Sequence, residues 1–180
     1  NLTNVGSKCG MIAGSTAKNA MVTLSNCSVL GSIANCAKPS SQAGYTLDDG
    51  CRAQAGGAVG YVDGGVLTIK DLTLGVQITN SGDCVGGVVG ECASGHISVL
   101  QLSAAVFRVE GGNAVGGIVG YCNNSSMTVE FSQINVTTMS DDVQVVVGKG
   151  CVGGIVGYIT GYSIIYIGLT EIAYPVSGVN

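Results

Sequence analysis

The segment at residues 151–158 reads CVGGIVGY, and close copies stand at 115–121 (VGGIVGY), 85–91 (VGGVVGE) and 55–61 (AGGAVGY). A glycine-rich loop that binds phosphate normally occurs once, opens a helix and carries a lysine. Four copies without a following helical pattern or GK[ST] disfavour that function and indicate an internal repeat. We call each V/A-G-G-x-V-G unit a glycine hexad.

The hexads recur at regular intervals. Their glycine pairs begin at Gly56, Gly86, Gly116 and Gly153, in steps of 30, 30 and 37 residues, and a degenerate copy (CGMIAG) lies at 9–14. Apolar positions recur with them. Counting from the last glycine of each copy, the seventh position holds Met21, Leu67, Ile97, Met127 and Ile164, and the ninth holds Thr23, Ile69, Val99, Val129 and Tyr166. This alternation by two is typical of strands.

A strand-rich unit of about 30 residues cannot bury its apolar face alone, whereas stacked units can. The sequence therefore predicts an all-β fold, a β-solenoid of about five coils of roughly 30 residues, in one domain spanning 1–180. Each coil is expected to hold three short strands, of which the hexad is one. Glycines are expected at corners that need positive φ or a missing side chain. The coils start near 9, 55, 85, 115 and 152, with surface excursions at 31–54 and 139–150.

Composition excludes several classes of protein. Charged residues are 10% of the chain, hydrophobic residues 46%, and 30 of 180 residues are glycine, which disfavours disorder. The net charge is −4 and the seven basic residues are scattered, so no nucleic-acid partner is predicted. No apolar run reaches the roughly 18 residues of a membrane span, so no membrane insertion is predicted.

Eight cysteines without C-x2-C spacing favour disulfides over zinc and indicate an oxidising compartment. Reduced cysteines in a cytosolic core remain the alternative. Cys92 and Cys122 follow their hexads at the same position, which predicts adjacent stacking and a disulfide. Cys84 and Cys151 also share a position, but Ala114 lies between them. The full set of disulfide candidates is Cys9, Cys27, Cys36, Cys51, Cys84, Cys92, Cys122 and Cys151, and a Cys36–Cys51 bridge that closes the 31–54 excursion is one option.

Five N-x-S/T sequons accompany the cysteines and support a secreted, N-glycosylated protein at the cell surface. The candidate acceptors are Asn1, Asn26, Asn123, Asn124 and Asn135.

The hexads VGGIVGY, VGGVVGE and AGGAVGY resemble the GLUG repeat, over roughly residues 9–175. That resemblance implies a β-helical, surface-exposed protein similar to large secreted adhesins and cell-surface proteins. The repeat carries no catalytic residue that would transfer to this chain. The cysteines and sequons of this chain depart from the commoner pattern of the GLUG repeat.

No catalytic device is predicted. His96 is the only histidine and is expected in a solvated turn, and no G-x-S-x-G or HExxH is present. The carboxylates do not share one column of the repeat, and we predict neither an enzyme nor a cofactor. Thr68, Thr73 and Thr128 belong to no continuous threonine column of the kind that ice binding would need.

The C-terminal segment is rich in tyrosine, and an uncovered end of a sheet invites further strands. Tyr162, Tyr166 and Tyr174 are therefore the candidate assembly interface. The predicted function is a non-enzymatic extracellular structural protein, a filament or surface-coat subunit that self-associates through its ends. The alternative is an adhesin-type module that recognises glycan or protein through the 31–54 excursion.

Overall fold

A computed structural model describes residues 2–3, 7–34, 51, 53–79, 82–104, 108–135, 146–173 and 176–178. These ranges contain strands and turns but no helix. The strands are β1 Leu2–Thr3, β2 Lys8–Gly10, β3 Ala13–Ser15, β4 Met21–Ala34, β5 Gln54–Gly56, β6 Val59–Asp63, β7 Val66–Thr79, β8 Cys84–Gly86, β9 Val89–Ala93, β10 His96–Ala104, β11 Arg108–Glu110, β12 Ala114–Gly116, β13 Val119–Asn123, β14 Ser126–Glu130, β15 Gln133–Asn135, β16 Val146–Gly148, β17 Cys151–Gly153, β18 Val156–Thr160, β19 Ile164–Gly168, β20 Glu171–Ala173 and β21 Val176–Gly178.

The strands form three parallel sheets. The first hexad sheet contains β2, β5, β8, β12 and β17, and the second hexad sheet contains β3, β6, β9, β13 and β18. The large sheet has eleven strands, along the path β19–β14–β10–β7–β11–β16–β21 with β1, β4, β15 and β20 off it. Every strand pairing among the described residues is parallel.

Equivalent residues of successive repeats lie opposite one another in these sheets. We call each repeat a layer and number the layers in chain order, by the glycine-rich copies at 9–14, 55–60, 85–90, 115–120 and 152–157. Gly86 pairs with Gly56 on one side and with Gly116 on the other. The bend that follows is also stacked, since the Val88 N–H donates to the Ile118 carbonyl at 2.9 Å, and the Ile118 N–H donates to the Ile155 carbonyl at 2.9 Å. Val88 and Ile118 are fully buried, and the main core lies between the sheets.

Each hexad bends sharply at its double glycine and contributes to two sheets. In the third copy, β8 ends at Gly86 and β9 begins at Val89. A Cβ on Gly86 would overlap the carbonyl oxygen of Val89, so the missing side chain permits the bend. A Cβ on Gly90 would lie 2.5 Å from the Gly60 carbonyl oxygen and 2.7 Å from the Ala55 nitrogen, so Gly90 allows the two hexad sheets to approach closely.

The other two corners of each layer use left-handed residues that are mostly not glycine. One column of positive φ comprises Asn19, Gly64, Ser94, Asn124 and Gly161, and the other comprises Asn26, Asp71, Gln101, Phe131 and Leu169. In the second column, Asn26, Asp71 and Gln101 lie inside the long strands β4, β7 and β10 of the large sheet. In β7, Leu67 and Ile69 are buried before the left-handed Asp71, and Leu72 and Leu74 are buried after it. Asp71 therefore shifts the alternation by one residue and turns the chain while the sheet continues.

The predicted fold class is wrong as an architecture, although the chain is all-β. The strands are collected in three parallel sheets of 11, 5 and 5, rather than in a β-solenoid of about five coils with three short strands each. The hexad is two strands in different sheets, because the double glycine bends the chain within it. The repeat length is also uneven, since 46 residues separate the paired glycines Gly10 and Gly56, and 37 separate Gly116 and Gly153.

The predicted apolar columns hold in the middle layers and fail at both ends. Ile97 pairs with Leu67 and Met127, but Leu67 pairs with Val22 rather than Met21, and Met127 pairs with Ile165 rather than Ile164. The ninth position slips likewise, to Leu24 and Ile167 in place of Thr23 and Tyr166. Each terminal layer has one extra corner residue. In the last layer that residue is Tyr162, which is 97% exposed.

Both predicted excursions are narrower than expected. Residues 31–34 belong to β4 and pair with residues 76–79 of β7, and Gln54 begins β5. Residues 146–148 form β16, which pairs with β11. The remaining parts of the predicted excursions, 35–50 with 52 and 139–145, lie outside the described residues.

Candidate functional site

The two hexad sheets meet along a crease that the main core does not fill. Two columns of side chains line it. The first hexad sheet contributes Lys8, Gln54, Cys84, Ala114 and Cys151, and the second contributes Ser15, Tyr61, Glu91, Tyr121 and Tyr158. Cys84, Ala114 and Tyr121 form a buried cluster separate from the main core. This crease holds a disulfide, a buried carboxylate and three tyrosines.

A disulfide closes the crease in its central layer. Cys51 lies just before β5 and bonds to Cys84, the first residue of β8, with 5.8 Å between their Cα atoms. Cys84 is fully buried, whereas Cys51 is partly exposed. The bond joins the segment that leads into the second layer to the first strand of the third layer. It therefore fixes the returning end of the predicted 31–54 excursion.

A buried carboxylate lies beside the disulfide. Glu91 is 4% exposed, and its Oε2 accepts a hydrogen bond of 2.9 Å from Nε2 of Gln54. The same Nε2 donates to the Cys51 carbonyl at 2.5 Å. Burial raises the pKa of Glu91, while hydrogen bonds from Gln54 and the Cys51 backbone and the charge of Lys8 act in the opposite direction. Gln54 thus joins the carboxylate to the segment that carries Cys51.

Aromatic contacts extend the crease on both sides of this cluster. The Lys8 ammonium lies 3.9 Å from the centre of the Tyr61 ring, a cation–π contact. Tyr121 stacks on Tyr158 with 5.5 Å between ring centres, and its hydroxyl lies 2.9 Å from Oγ1 of Thr160. Burial raises the pKa of Tyr61, and the neighbouring Glu91 and Asp63 raise it further.

The disulfide predictions are corrected in two places. Cys51 bonds to Cys84, so the Cys36–Cys51 option is wrong, and Cys36 itself lies outside the described residues. Cys92 and Cys122 pair in register as predicted, but both are free thiols. Ala114 does separate Cys84 from Cys151. Cys9 is disulfide-bonded, and Cys27 and Cys151 are free.

Burial protects the two stacked thiols. Cys92 and Cys122 are fully buried, and this burial raises the pKa of Cys92 and raises the pKa of Cys122 to about 12. Because the thiolate is the reactive form, this rise in pKa keeps Cys122 as the unreactive thiol at neutral pH. Cys151 is exposed.

We predict that iodoacetamide at pH 7 alkylates Cys151 in the native protein and leaves Cys92 and Cys122 unmodified. Both should be alkylated when guanidinium unfolds the chain without reductant. Peptide mass spectrometry assigns the modified positions. Native labelling of Cys122 at the rate of Cys151 would contradict the buried arrangement, and failure to label it after unfolding would restore the predicted disulfide.

The histidine and the carboxylates, from which no catalytic device was predicted, have separate partners. His96 begins β10 rather than lying in a turn, and its Nδ1 is 2.7 Å from Oγ of Ser126. Asp83 accepts a hydrogen bond from Asn113 at 3.2 Å, and Glu110 forms an ion pair with Arg108 at 3.0 Å. Each of these side chains, like Glu91 with Gln54, has its own partner, and no two of the four pairs share a residue.

The predicted surface residues lie as follows. Asn26 and Asn124 are exposed, whereas Asn123 is half-buried and its Oδ1 accepts from Asn124 Nδ2 at 3.0 Å. Asn135 ends β15, but its side chain, like all of Asn1, lies outside the described residues. Tyr162 and Tyr166 are 97% and 56% exposed. Tyr174 lies outside the described residues.

A short hydroxyl column crosses the large sheet. Thr68 pairs with Thr23 and Ser98, and Ser98 pairs with Thr128. Tyr166 continues the column in the last layer, where Thr128 pairs with it. The column is one residue wide and is flanked by Lys70 and Glu130. It therefore does not form the broad threonine array that ice binding would need.

No family model, curated protein or solved structure matches this chain. The resemblance to the GLUG repeat therefore stays a prediction. Within the described ranges, no helix has the length and apolar character needed to cross a bilayer. The Cys51–Cys84 disulfide is compatible with an oxidising, extracellular environment.

Sequence reasoning missed the crease as a site. The residues two before and five after the first glycine of each pair face each other only because the chain folds back at that pair. Gln54 and Glu91 come from neighbouring layers, so they are distant in sequence yet 2.9 Å apart. A search for polar residues at the positions directly before and directly after each hexad would have found both.

Proposed function

We propose that this protein is a non-enzymatic extracellular structural protein that self-associates end to end, as a subunit of a filament or surface coat. The observation that supports the proposal is the strand order of the hexad sheets, which among the described residues end at the first and last copies of the repeat. β17 and β18 end the sheet orders on one side, and β2 and β3 end them on the other. The edge strand of a sheet is the place where a further strand can be added.

Apolar side chains accompany both edges. The last layer exposes Ile159, Ile164, Ile167 and Leu169, in addition to its two tyrosines, and the first layer exposes Ile12, Met21 and Leu30. Exposed apolar surface of this kind favours association. Because both edges carry versions of the same hexad, the last layer of one copy fits the first layer of the next. Heterologous contacts of this type extend without closing and produce filaments.

The large sheet limits how the copies meet. β1 pairs with Ile33 and Ala34 on the outer side of β4, where a strand of the next copy would otherwise lie. The proposed contact therefore uses the hexad strands and the part of β4 before residue 33. Exposed Asn26 and Asn124 lie at corners, where attached N-glycans would cover the sides of the assembly and leave the hexad edges free.

A crosslink tests the proposed register. Continuing the first hexad sheet places Lys8 of one copy opposite Cys151 of another, because β2 and β17 occupy equivalent positions in it. We predict that Lys8→Cys, under mild oxidation, gives a ladder of disulfide-linked oligomers on a non-reducing gel. Within one copy the two positions are about 19 Å apart, four strand spacings, so the bond must be intermolecular.

Two variants control this crosslink. Lys8→Cys combined with Cys151→Ser removes the second sulfur, and Lys70→Cys places an exposed cysteine on the side of a middle layer. Neither should give a ladder, and negative-stain microscopy should show filaments of the wild-type protein. A Lys8→Cys protein that remains monomeric under oxidation, at concentrations where the wild type scatters light as an assembly, would refute the head-to-tail contact.

The alternative function is an adhesin-type module that recognises glycan or protein through the 31–54 excursion. It is favoured by the Cys51–Cys84 bond, which fixes one end of that segment on the sheets. Most of the excursion lies outside the described residues. Deleting residues 37–49 should abolish binding on a glycan array under this alternative, and should leave the Lys8–Cys151 crosslink intact under the assembly proposal.

A further inference from the structure

The crease brings together three metal-binding atoms. The Sγ atoms of Cys51 and Cys84 and a carboxylate oxygen of Glu91 all lie within 4.8 Å of one another. Cys84 and Glu91 are buried on neighbouring strands of the two hexad sheets, and Cys51 is partly exposed. This is the one such group of His, Cys, Asp or Glu among the residues that the structure describes.

Two thiolates and a carboxylate suit zinc. Zn²⁺ binds cysteine sulfur and carboxylate oxygen in tetrahedral sites, and thiolates also favour other soft divalent ions such as Cd²⁺. Sites of this kind are supported by hydrogen bonds that orient the ligands. Gln54 supplies one, since its Nε2 donates to Glu91 Oε2 at 2.9 Å. Cys51 is the one partly exposed ligand of the three, and a water molecule could supply the fourth.

We propose that the reduced protein binds one Zn²⁺ through Cys51, Cys84 and Glu91, and that formation of the Cys51–Cys84 disulfide removes this site. A dithiol or phosphine reductant supplies two electrons to the disulfide, which takes up two protons and becomes two thiols. Zinc then displaces both thiol protons and forms two Zn–S bonds and one Zn–O bond. Oxidation by a disulfide reagent reverses these steps, and the ion is released.

The site is independent of self-association. It lies in the second and third layers, whereas the proposed end-to-end contact uses the first and last layers. A test of zinc binding therefore says nothing about assembly, and the reverse is also true. The site gives the chain one metal-bound form under reducing conditions and one disulfide-bonded form under oxidising conditions.

Cadmium titration tests the proposal. The protein is reduced with a phosphine, and Cd²⁺ is added while thiolate-to-cadmium charge-transfer absorption is recorded. We expect one Cd²⁺ per chain with the intensity of two thiolates, and displacement of that Cd²⁺ by Zn²⁺. Cys84→Ser and Glu91→Gln should lose this stoichiometric binding, and Gln54→Ala should weaken it about 10- to 100-fold. The oxidised wild type should bind none.

The other cysteines provide matched controls. Cys122→Ser disrupts the buried thiol pair, Cys9→Ser removes another disulfide-bonded sulfur, and Cys151→Ser removes the exposed thiol. Each should retain full Cd²⁺ binding. Retention of binding in Cys84→Ser, or its loss in Cys122→Ser, would overturn the assignment. If reduction alone abolishes the β-sheet circular dichroism signal, Zn²⁺ should restore it in the wild type but not in Glu91→Gln, and failure to restore it would also overturn the proposal.

Discussion

Replacing Gly86 by alanine is expected to prevent stable folding. The added Cβ would overlap the carbonyl oxygen of Val89 and would lie 2.7 Å from the nitrogen of Gly120, and both of these are backbone atoms that cannot step aside. Backbone strain of this kind in a central layer should cost more than about 4 kcal/mol, a large part of the stability of a typical domain. Far-ultraviolet circular dichroism with thermal unfolding measures the loss.

Gly75→Ala is the matched control for this substitution. Gly75 also lies in a strand, but its added Cβ would meet only the end of the exposed Leu30 side chain, at 2.6 Å. That side chain can move, so the stability should stay within about 1 kcal/mol of the wild type. Equal stability of Gly86→Ala and Gly75→Ala would mean that the hexad bend is not as tight as described.

The middle of the fold could be predicted because its repeat is regular. The copies that begin at Gly56, Gly86 and Gly116 are each 30 residues apart, and the structure pairs these glycines in register. Val88 and Ile118 stack as their shared position indicates. Identical spacing transfers directly into parallel strand register, since one residue of slip would turn every buried side chain outward.

The ends of the fold could not be predicted by counting from the hexads. One extra corner residue, such as Tyr162 in the last layer, moves every later residue by one position. Counting therefore placed Ile164 inside, whereas Ile165 is the residue that packs on the core and Ile164 is 71% exposed. The sequence marks the insertion only by length, and its place in the corner depends on packing.

Two corners had no recognisable signal. Gln101 and Phe131 adopt positive φ, although neither residue type favours that conformation. Their equivalents Asn26 and Asp71 are better suited, and the stack imposes the same backbone on each layer. The expectation that glycine marks corners was correct for the hexad bend and, in the first column of positive φ, for Gly64 and Gly161. The long strands β7 and β10 pass through this corner. This is one reason why the prediction of three short strands per coil was wrong.

The crease could not be predicted from the sequence, because its contacts join residues of different layers. Cys51 precedes its hexad by too many residues to share a column with any other cysteine, so spacing alone could not select Cys84 as its partner. Glu91 occupies a position that is tyrosine in the other three hexads, in VGGVVGE against VGGIVGY. That exception was visible in the sequence. Its role could be recognised only once the structure showed that Gln54 and the disulfide lie beside it.

Loss of the Cys51–Cys84 bond is the second large effect that we predict. Cys51→Ser with Cys84→Ser removes both sulfurs of this bond, so neither is left as a new free thiol, and it frees a link between positions 33 residues apart. Removing a crosslink of that span should lower the free energy of unfolding by about 3–4 kcal/mol, chiefly by enlarging the unfolded ensemble. Guanidinium denaturation at pH 7 measures the change as a lower midpoint.

Cys151→Ser provides the comparison, because it removes an exposed free thiol and should change the free energy of unfolding by no more than about 0.5 kcal/mol. Adding reductant to the wild type should lower its midpoint toward that of the double serine variant, while the variant itself responds less. The same midpoint for the double variant and for Cys151→Ser would show that the bond does not constrain the chain. In that case the strand pairings β5–β8, β6–β9 and β7–β10, together with the 2.9 Å hydrogen bond from Gln54 to Glu91, hold the second layer on the third without it.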